Sequence, residues 1–211
     1  MARRSEKKSG AKRRFFDCQA GAWDESHRAE EEKIAALLDG LGLRPGWLVL
    51  EPGCGTGIIS RHILRRIAPG GCLLGLDISH AMLTGAAEKS LSPWAYFCRA
   101  DAAGIPLGPT LADAVVCFRV FPHLADRKGS MAEFNRVLKT HGRLEIVHPA
   151  GSERINALHA RAGGAVANDR IPPEAEMRGL FSAFGFEIDS LDDREERYLL
   201  RAVKKISMAP A

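Results

Sequence analysis

Glu51-Pro52-Gly53-Cys54-Gly55-Thr56-Gly57-Ile58-Ile59 follows the short apolar run Trp47-Leu48-Val49-Leu50 and precedes a stretch with helical spacing. Three glycines at alternate positions let the backbone turn tightly and approach a ligand that side chains would hold off. The free N–H groups at the start of the next helix can then hold a polar ligand end. A Gly-rich turn from strand to helix marks a nucleotide-type cofactor site at the edge of a parallel sheet. Dinucleotide folds space their glycines as G-x-G-x-x-G, so that a pyrophosphate sits on the helix N-terminus. Here the pattern is Glu-x-Gly-x-Gly-x-Gly, and Glu51 closes the strand. A carboxylate at that place repels a pyrophosphate. It suits an ammonium, a sulfonium or a donor hydroxyl.

Outward from this turn, strands and helices alternate. Residues 26–41 read as a helix, with Ile34, Leu37, Leu38 and Leu41 at helical spacing. The first strand is expected near 47–51 and a helix over 57–67, ended by Pro69-Gly70-Gly71. Further strands are expected at Cys72–Leu76, Ala95–Cys98, Ala114–Phe118 and Arg143–Val147, with helices near 80–90 and 126–138 between them. A polar, Gly-rich insertion, 149–172, comes next, and its length suits a lid over a substrate. A helix from Pro173 to Phe184 leads to two closely spaced strands, one opening at Gly185-Phe186 and one over Arg197–Val203. Alternation with short turns specifies a parallel sheet between helical layers, and the last two strands fit an antiparallel hairpin at its edge.

At 211 residues and 45% hydrophobic content, the chain fits one domain with a substantial core. No apolar stretch approaches a membrane span, and the N-terminus lacks the apolar segment of a signal peptide. Cys18, Cys54, Cys72, Cys98 and Cys117 are scattered and form no C-x-x-C pair, so the pattern suggests neither a metal site nor a disulfide framework, and a cytoplasmic setting is expected. The net charge of +4 is uneven. Residues 1–14 hold seven basic side chains against Glu6, a charge of +6, which leaves −2 on the rest. The body is therefore not basic, and any nucleic-acid contact is expected only through this leader, which reads as disordered and solvated. The expected division is a leader at 1–14, one domain over 15–205 and a tail at 206–211.

In a doubly wound sheet the ligand lies across the carboxyl ends of the strands. Polar groups recur at those ends: Glu51, Asp77, Asp101, then Arg119 with His123, and His148. Over about residues 47–148 the chain resembles the class I S-adenosylmethionine (SAM) methyltransferases, with weaker likeness at 15–24 and 173–204. The Gly-rich turn resembles their first motif. Leu74-Gly75-Leu76-Asp77-Ile78-Ser79 resembles the segment whose acid holds the ribose hydroxyls, Cys98-Arg99-Ala100-Asp101-Ala102 the segment that contacts adenine, and Asp113 to His123 the fourth motif and its loop. The resemblance implies a Rossmann-like, doubly wound α/β fold, a mostly parallel seven-stranded sheet and an antiparallel last strand. It also implies SAM as cofactor, held by Glu51, Gly53, Cys54, Gly55, Gly57, Asp77, Ile78, Met82, Asp101, Ala102 and Arg119.

On the acceptor side, Trp23, Phe121, His148 and His159 are the candidates to line the substrate, and Trp23 fits equally a packing role on the sheet. If the acceptor must lose a proton, His123 and His148 are the candidate general bases, because imidazole titrates near neutral pH, and His123 is the one assigned the catalytic role. Related enzymes often carry two adjacent histidines here, whereas this chain has Pro122-His123. Arg119 fits either an acidic substrate or an ion pair with a nearby acid such as Asp101. The pattern is most like methyltransferases of quinone and other small-metabolite pathways. An RNA or protein methyltransferase using the basic leader, and a SAM-binding regulator without turnover, are the alternatives. An NAD-binding domain is disfavoured by Glu51 and the glycine spacing.

Overall fold

The computed structural model describes residues 2–27 and 30–206. Its core is a seven-stranded sheet with strands β1 Leu48–Pro52, β2 Cys72–Asp77, β3 Ala95–Arg99, β4 Ala112–Phe118, β5 Leu138–His148, β6 Phe186–Arg194 and β7 Arg197–Lys204. Their spatial order is β3-β2-β1-β4-β5-β7-β6. The first five strands run parallel. β7 inserts antiparallel between β5 and β6, so the antiparallel last strand is internal and β6 forms the edge. The strand order reverses between β1 and β4, and a crevice opens at such a reversal.

Eight helices accompany the sheet among the described residues: α1 Ala2–Gln19, α2 Trp23–His27, α3 Glu31–Asp39, α4 Ser60–Ile67, α5 His80–Glu88, α6 Arg127–Val137, α7 Ser152–Ala162 and α8 Glu174–Ala183. On one face Ile34, Leu38 and Leu41 pack with Ile63 and Ile67 against Val49 and Val116. On the other, Met131, Phe134, Met177 and Phe181 cover Val115, Ile146 and Leu200. Strands buried on both faces read as continuous apolar runs, which explains β4 and the C-terminal half of β5. Local signals set the helix starts. Ser79 caps α5 by accepting from the Met82 amide at 3.1 Å, and Asp126 caps α6 by accepting from the Gly129 amide at 3.0 Å.

Several boundaries differ from the sequence-based expectations. The helix expected over 57–67 starts at Ser60, because Gly53, Gly55 and Gly57 all take positive φ (+64°, +55° and +77°) and keep the chain in a turn. The helix expected over 26–41 is described as α2 and α3, with residues 28 and 29 outside the described residues. The insertion 149–172 is largely built by α7 and a 3-10 turn at Gly164–Val166. Residues 2–14 of the expected leader are helical. Its Lys, Arg, Ala and Glu residues are good helix formers, and they lie in α1. Lys7, Lys8 and Arg14 face solvent while Lys12 is buried. Of the expected tail, residues 207–211 lie outside the described residues.

Candidate active site

A cavity of about 720 Å³ opens over the carboxyl ends of β1, β2, β4 and β5. Its floor is the Gly-rich turn. A Cβ on Gly53 would lie 2.3 Å from Val120 Cγ2, at a φ of +64°, so only glycine lets the turn pass beneath the loop after β4. The Cys54 amide donates to the Leu76 carbonyl at 3.0 Å and the Gly55 amide to Asp77 Oδ2 at 2.9 Å, which ties the turn to the end of β2.

Glu51 is 2% exposed and accepts a hydrogen bond from Ser60 Oγ at 2.6 Å. Burial pushes its carboxyl up to about 8; the Ser60 bond offsets part of this and the Asp77 charge adds to it. No basic side chain pairs with Glu51 among the described residues. A buried carboxylate without a counter-charge is costly, and a cationic ligand would remove that cost. The donor set therefore fits an ammonium-bearing cofactor and opposes a pyrophosphate.

Asp77 accepts from the Ser79 amide at 2.8 Å through Oδ1 and from Gly55 through Oδ2. Burial raises its pKa despite these bonds. Each oxygen retains a lone pair for a further donor. Asp101 accepts from the Ala103 amide at 3.0 Å in a local turn, and from Ser9 Oγ of α1 at 2.8 Å. Ile78, Met82, Asp101 and Ala102 line the cavity beside it. Arg119, in the left-handed region at φ +56°, pairs with Glu30 rather than with Asp101. Burial lowers its pKa and Glu30 opposes this. Strain of this kind persists only where the surroundings fix it.

Trp23, His123, His148 and His159 also face the cavity. Trp23 packs on His27, with ring centroids 4.6 Å apart. His123 Nδ1 is 2.7 Å from Asp169 Oδ2, and His159 Nδ1 is 2.9 Å from the Asp169 carbonyl. His148 is almost fully buried, its Nε2 has no hydrogen-bond partner, and burial holds its pKa well below the ordinary imidazole value.

Two expected site residues lie elsewhere. Phe121 is fully buried in the core, with its ring 6.1 Å from that of Phe181 and the Arg127 guanidinium over its face. The 3-10 turn Phe121–His123 sends Phe121 inward and His123 into the cavity. Gly57 borders a smaller pocket with Asp24 and Lys89 and shapes the turn rather than the cavity wall. Ser9, Phe16 and Glu30 were absent from the sequence-based set and line the cavity; Lys12 and Asp169 were absent too and bond directly to His123. Phe16 lies in the stretch 15–24 that carries the weaker family likeness; no local motif flags the others, because their partners are remote in sequence.

Residues 50–146 match the model of a methyltransferase domain family, Methyltransf_11. The chain is 30% identical over 171 residues to nocamycin O-methyltransferase of Saccharothrix syringae, covering 76% of this chain and 59% of that protein. It is 30% identical over 128 residues to demethylmenaquinone methyltransferase of Symbiobacterium thermophilum, covering 59% of this chain and 48% of the relative. The chain thus spans about half the length of these relatives. A SAM-dependent methyltransferase from Aquifex aeolicus has the same fold, with a TM-score of 0.73 at 20% identity over 89% of this chain and 97% of that one. With the strand order and the family match taken together, residues 50–146 carry a methyltransferase domain of that family, in a sheet with the fold of SAM-dependent methyltransferases.

Proposed function

We propose that the protein transfers a methyl group from SAM to a small-molecule acceptor. The observation that carries this reading is the cavity itself, which runs from the unpaired carboxylate of Glu51 to the histidine cluster. SAM supplies an activated methyl group when bound. Glu51 would hold its ammonium, Asp77 the ribose hydroxyls, and Asp101 with the Ala102 amide the adenine, while Ile78 and Met82 cover the base. Gly53, Cys54 and Gly55 bring the backbone close, and Arg119 closes the same end. Trp23, His148 and His159 would face the acceptor, with His123 as its base. Holding acceptor and donor in line can lower a barrier by about 7–11 kcal/mol.

A small acceptor is favoured because α1 lies against the cavity, with Ser9, Phe15 and Phe16 in its wall. The demethylmenaquinone methyltransferase relative supports a quinone-like or similar small metabolite. An RNA or protein acceptor would instead use the exposed Lys7, Lys8 and Arg14 of α1. Deleting residues 1–14 does not separate the two readings, because it also removes Ser9 and Lys12 from the site. Reversing the three exposed charges does: unchanged turnover and a weak salt dependence support the small acceptor, and a steep salt dependence overturns it.

Replacing Asp77 by Ala is expected to weaken SAM binding by at least about tenfold, since each hydrogen bond to a charged group contributes about 1.5–3 kcal/mol. Calorimetry with SAM, S-adenosylhomocysteine and NAD side by side measures this. An unchanged dissociation constant removes the ribose role, and binding of NAD alone overturns the reading.

A further inference from the structure

Asp169 lies in the segment between α7 and α8, and its carboxylate faces two donors. Lys12 Nζ of α1 bonds to Oδ1 at 2.6 Å and His123 Nδ1 to Oδ2 at 2.7 Å. The Lys12 ammonium also donates to the His123 carbonyl at 2.8 Å, so one buried cation fixes both ends of the pair. Burial alone would raise the Asp169 pKa, but the bonds from His123 and Lys12 outweigh it and hold the group ionised.

An ionised carboxylate only accepts hydrogen bonds. His123 must therefore carry its proton on Nδ1, which leaves the Nε2 lone pair free. Nε2 makes no hydrogen bond among the described residues, and the ring lines the cavity. His159 Nδ1 faces a backbone carbonyl, also an acceptor only, so its proton sits on Nδ1 as well. The two rings lie 4.6 Å apart between centroids. The charged and titratable groups around His123 are Asp169, Lys12, His159 and His148, with Arg119 beyond His148 and Arg127 beyond Asp169. Phe16, Leu124, Leu158 and Val166 make most of the wall around this end, with the Arg154 side chain of α7 as a further charged group in the lining.

We propose that Asp169 is the positioning residue of a proton-accepting Asp169–His123 dyad, held together by Lys12, that takes the proton of a hydroxyl borne on an apolar acceptor. The inference rests on the small-acceptor reading above. The acceptor oxygen gains the methyl group, its O–H proton passes to His123 Nε2, and the C–S bonding pair stays on sulfur. The products are a methyl ether, a neutral thioether and an imidazolium whose charge the Asp169 carboxylate faces. An acceptor without a proton to lose would not use the dyad.

The test is Asp169→Asn, an isosteric change. The amide oxygen stays with Lys12, which only donates, so the amide NH2 turns to His123 Nδ1 and forces it to accept. The proton then moves to Nε2 and blocks the lone pair that faces the acceptor. Nitrogen-15 spectra of the ligand-free protein, with His123 signals identified through His123→Gln, are expected to show the Nδ1–H form in the wild type and the Nε2–H form in Asp169→Asn. Adding Lys12→Met to Asp169→Asn frees the amide to turn round and restores the Nδ1–H form. An Nε2–H form in the wild type, or no change in Asp169→Asn, overturns the dyad.

With tritiated SAM and parallel sets of phenols and amines, label is expected in phenols and falls about a hundredfold in Asp169→Asn. Label in amines alone, or equal label in the variant, overturns the assignment. S-adenosylhomocysteine binding is expected to stay within twofold in the variant. Its absence in the wild type would instead defeat the methyltransferase reading, whatever the imidazole spectra show.

Discussion

Glu51→Gln is expected to weaken SAM binding about a hundredfold or more while making the ligand-free protein more stable. Both effects have one cause. The carboxyl is buried, has no cation beside it, and is pushed up to about 8. Near pH 7 it is therefore mostly protonated when the cavity holds no cation. An ammonium favours the ionised form, so binding below pH 8 releases up to one proton, and affinity rises with pH until it levels off above about 8. Gln keeps the shape but cannot ionise. Losing one partner of a buried charge pair costs about 3–5 kcal/mol.

For stability the sign runs the other way. The folded carboxyl holds its proton up to about pH 8, whereas the unfolded one loses it near the ordinary value of 4.5. The native state binds more protons across that window, so stability falls as pH rises through it. The melting temperature of Glu51→Gln should therefore exceed that of the wild type at pH 8, and the gap should close towards pH 5. Calorimetry in buffers of different ionisation enthalpy reads the released proton. Equal proton release in wild type and variant, or a variant that binds SAM normally, would remove Glu51 from the ligand site.

His123→Ala is expected to slow methyl transfer by about 10²–10⁴-fold, the range for loss of a general base, with the SAM dissociation constant unchanged. Burial lowers the His123 pKa, and Asp169 opposes this only in part. The imidazole is therefore neutral at pH 7 and ready to accept a proton. The wild-type rate should be level from neutral pH upwards and fall only at pH below the ordinary imidazole value, where Nε2 becomes occupied. Stopped-time assays across pH 5 to 8 test this. A full rate in the variant rules out His123 as the base, and a matching loss of SAM affinity would make it a binding residue instead.

The parts of the site that were legible in the sequence are those written by local chain geometry. A strand that ends in an acid and meets alternate glycines can be read from nine residues, and Asp77 follows from the same strand–turn–helix logic one unit later. Residues that work across long separations were not legible. Lys12 meets Asp169 across 157 positions and Asp169 meets His123 across 46, and no spacing rule connects them. The helix of the leader was not read because charge composition describes a solvated chain, while α1 rests on helix propensity and one inward lysine. Phe121 misled because neighbours in a tight helical turn point in different directions. The segment after β5 was read as a loop because its glycines and polar residues hid the helical run Ser152–Ala162.

The inner side of α1 supplies part of the cavity wall and ties down Asp101, Asp169 and, through Asp17, the Ser79 hydroxyl at 2.6 Å. Purification handles and fusion partners joined ahead of this helix would pull on the same element that borders both ligand ends. Kinetic comparisons between laboratories would then vary with cloning strategy. Material carrying its handle after β7 avoids this variable.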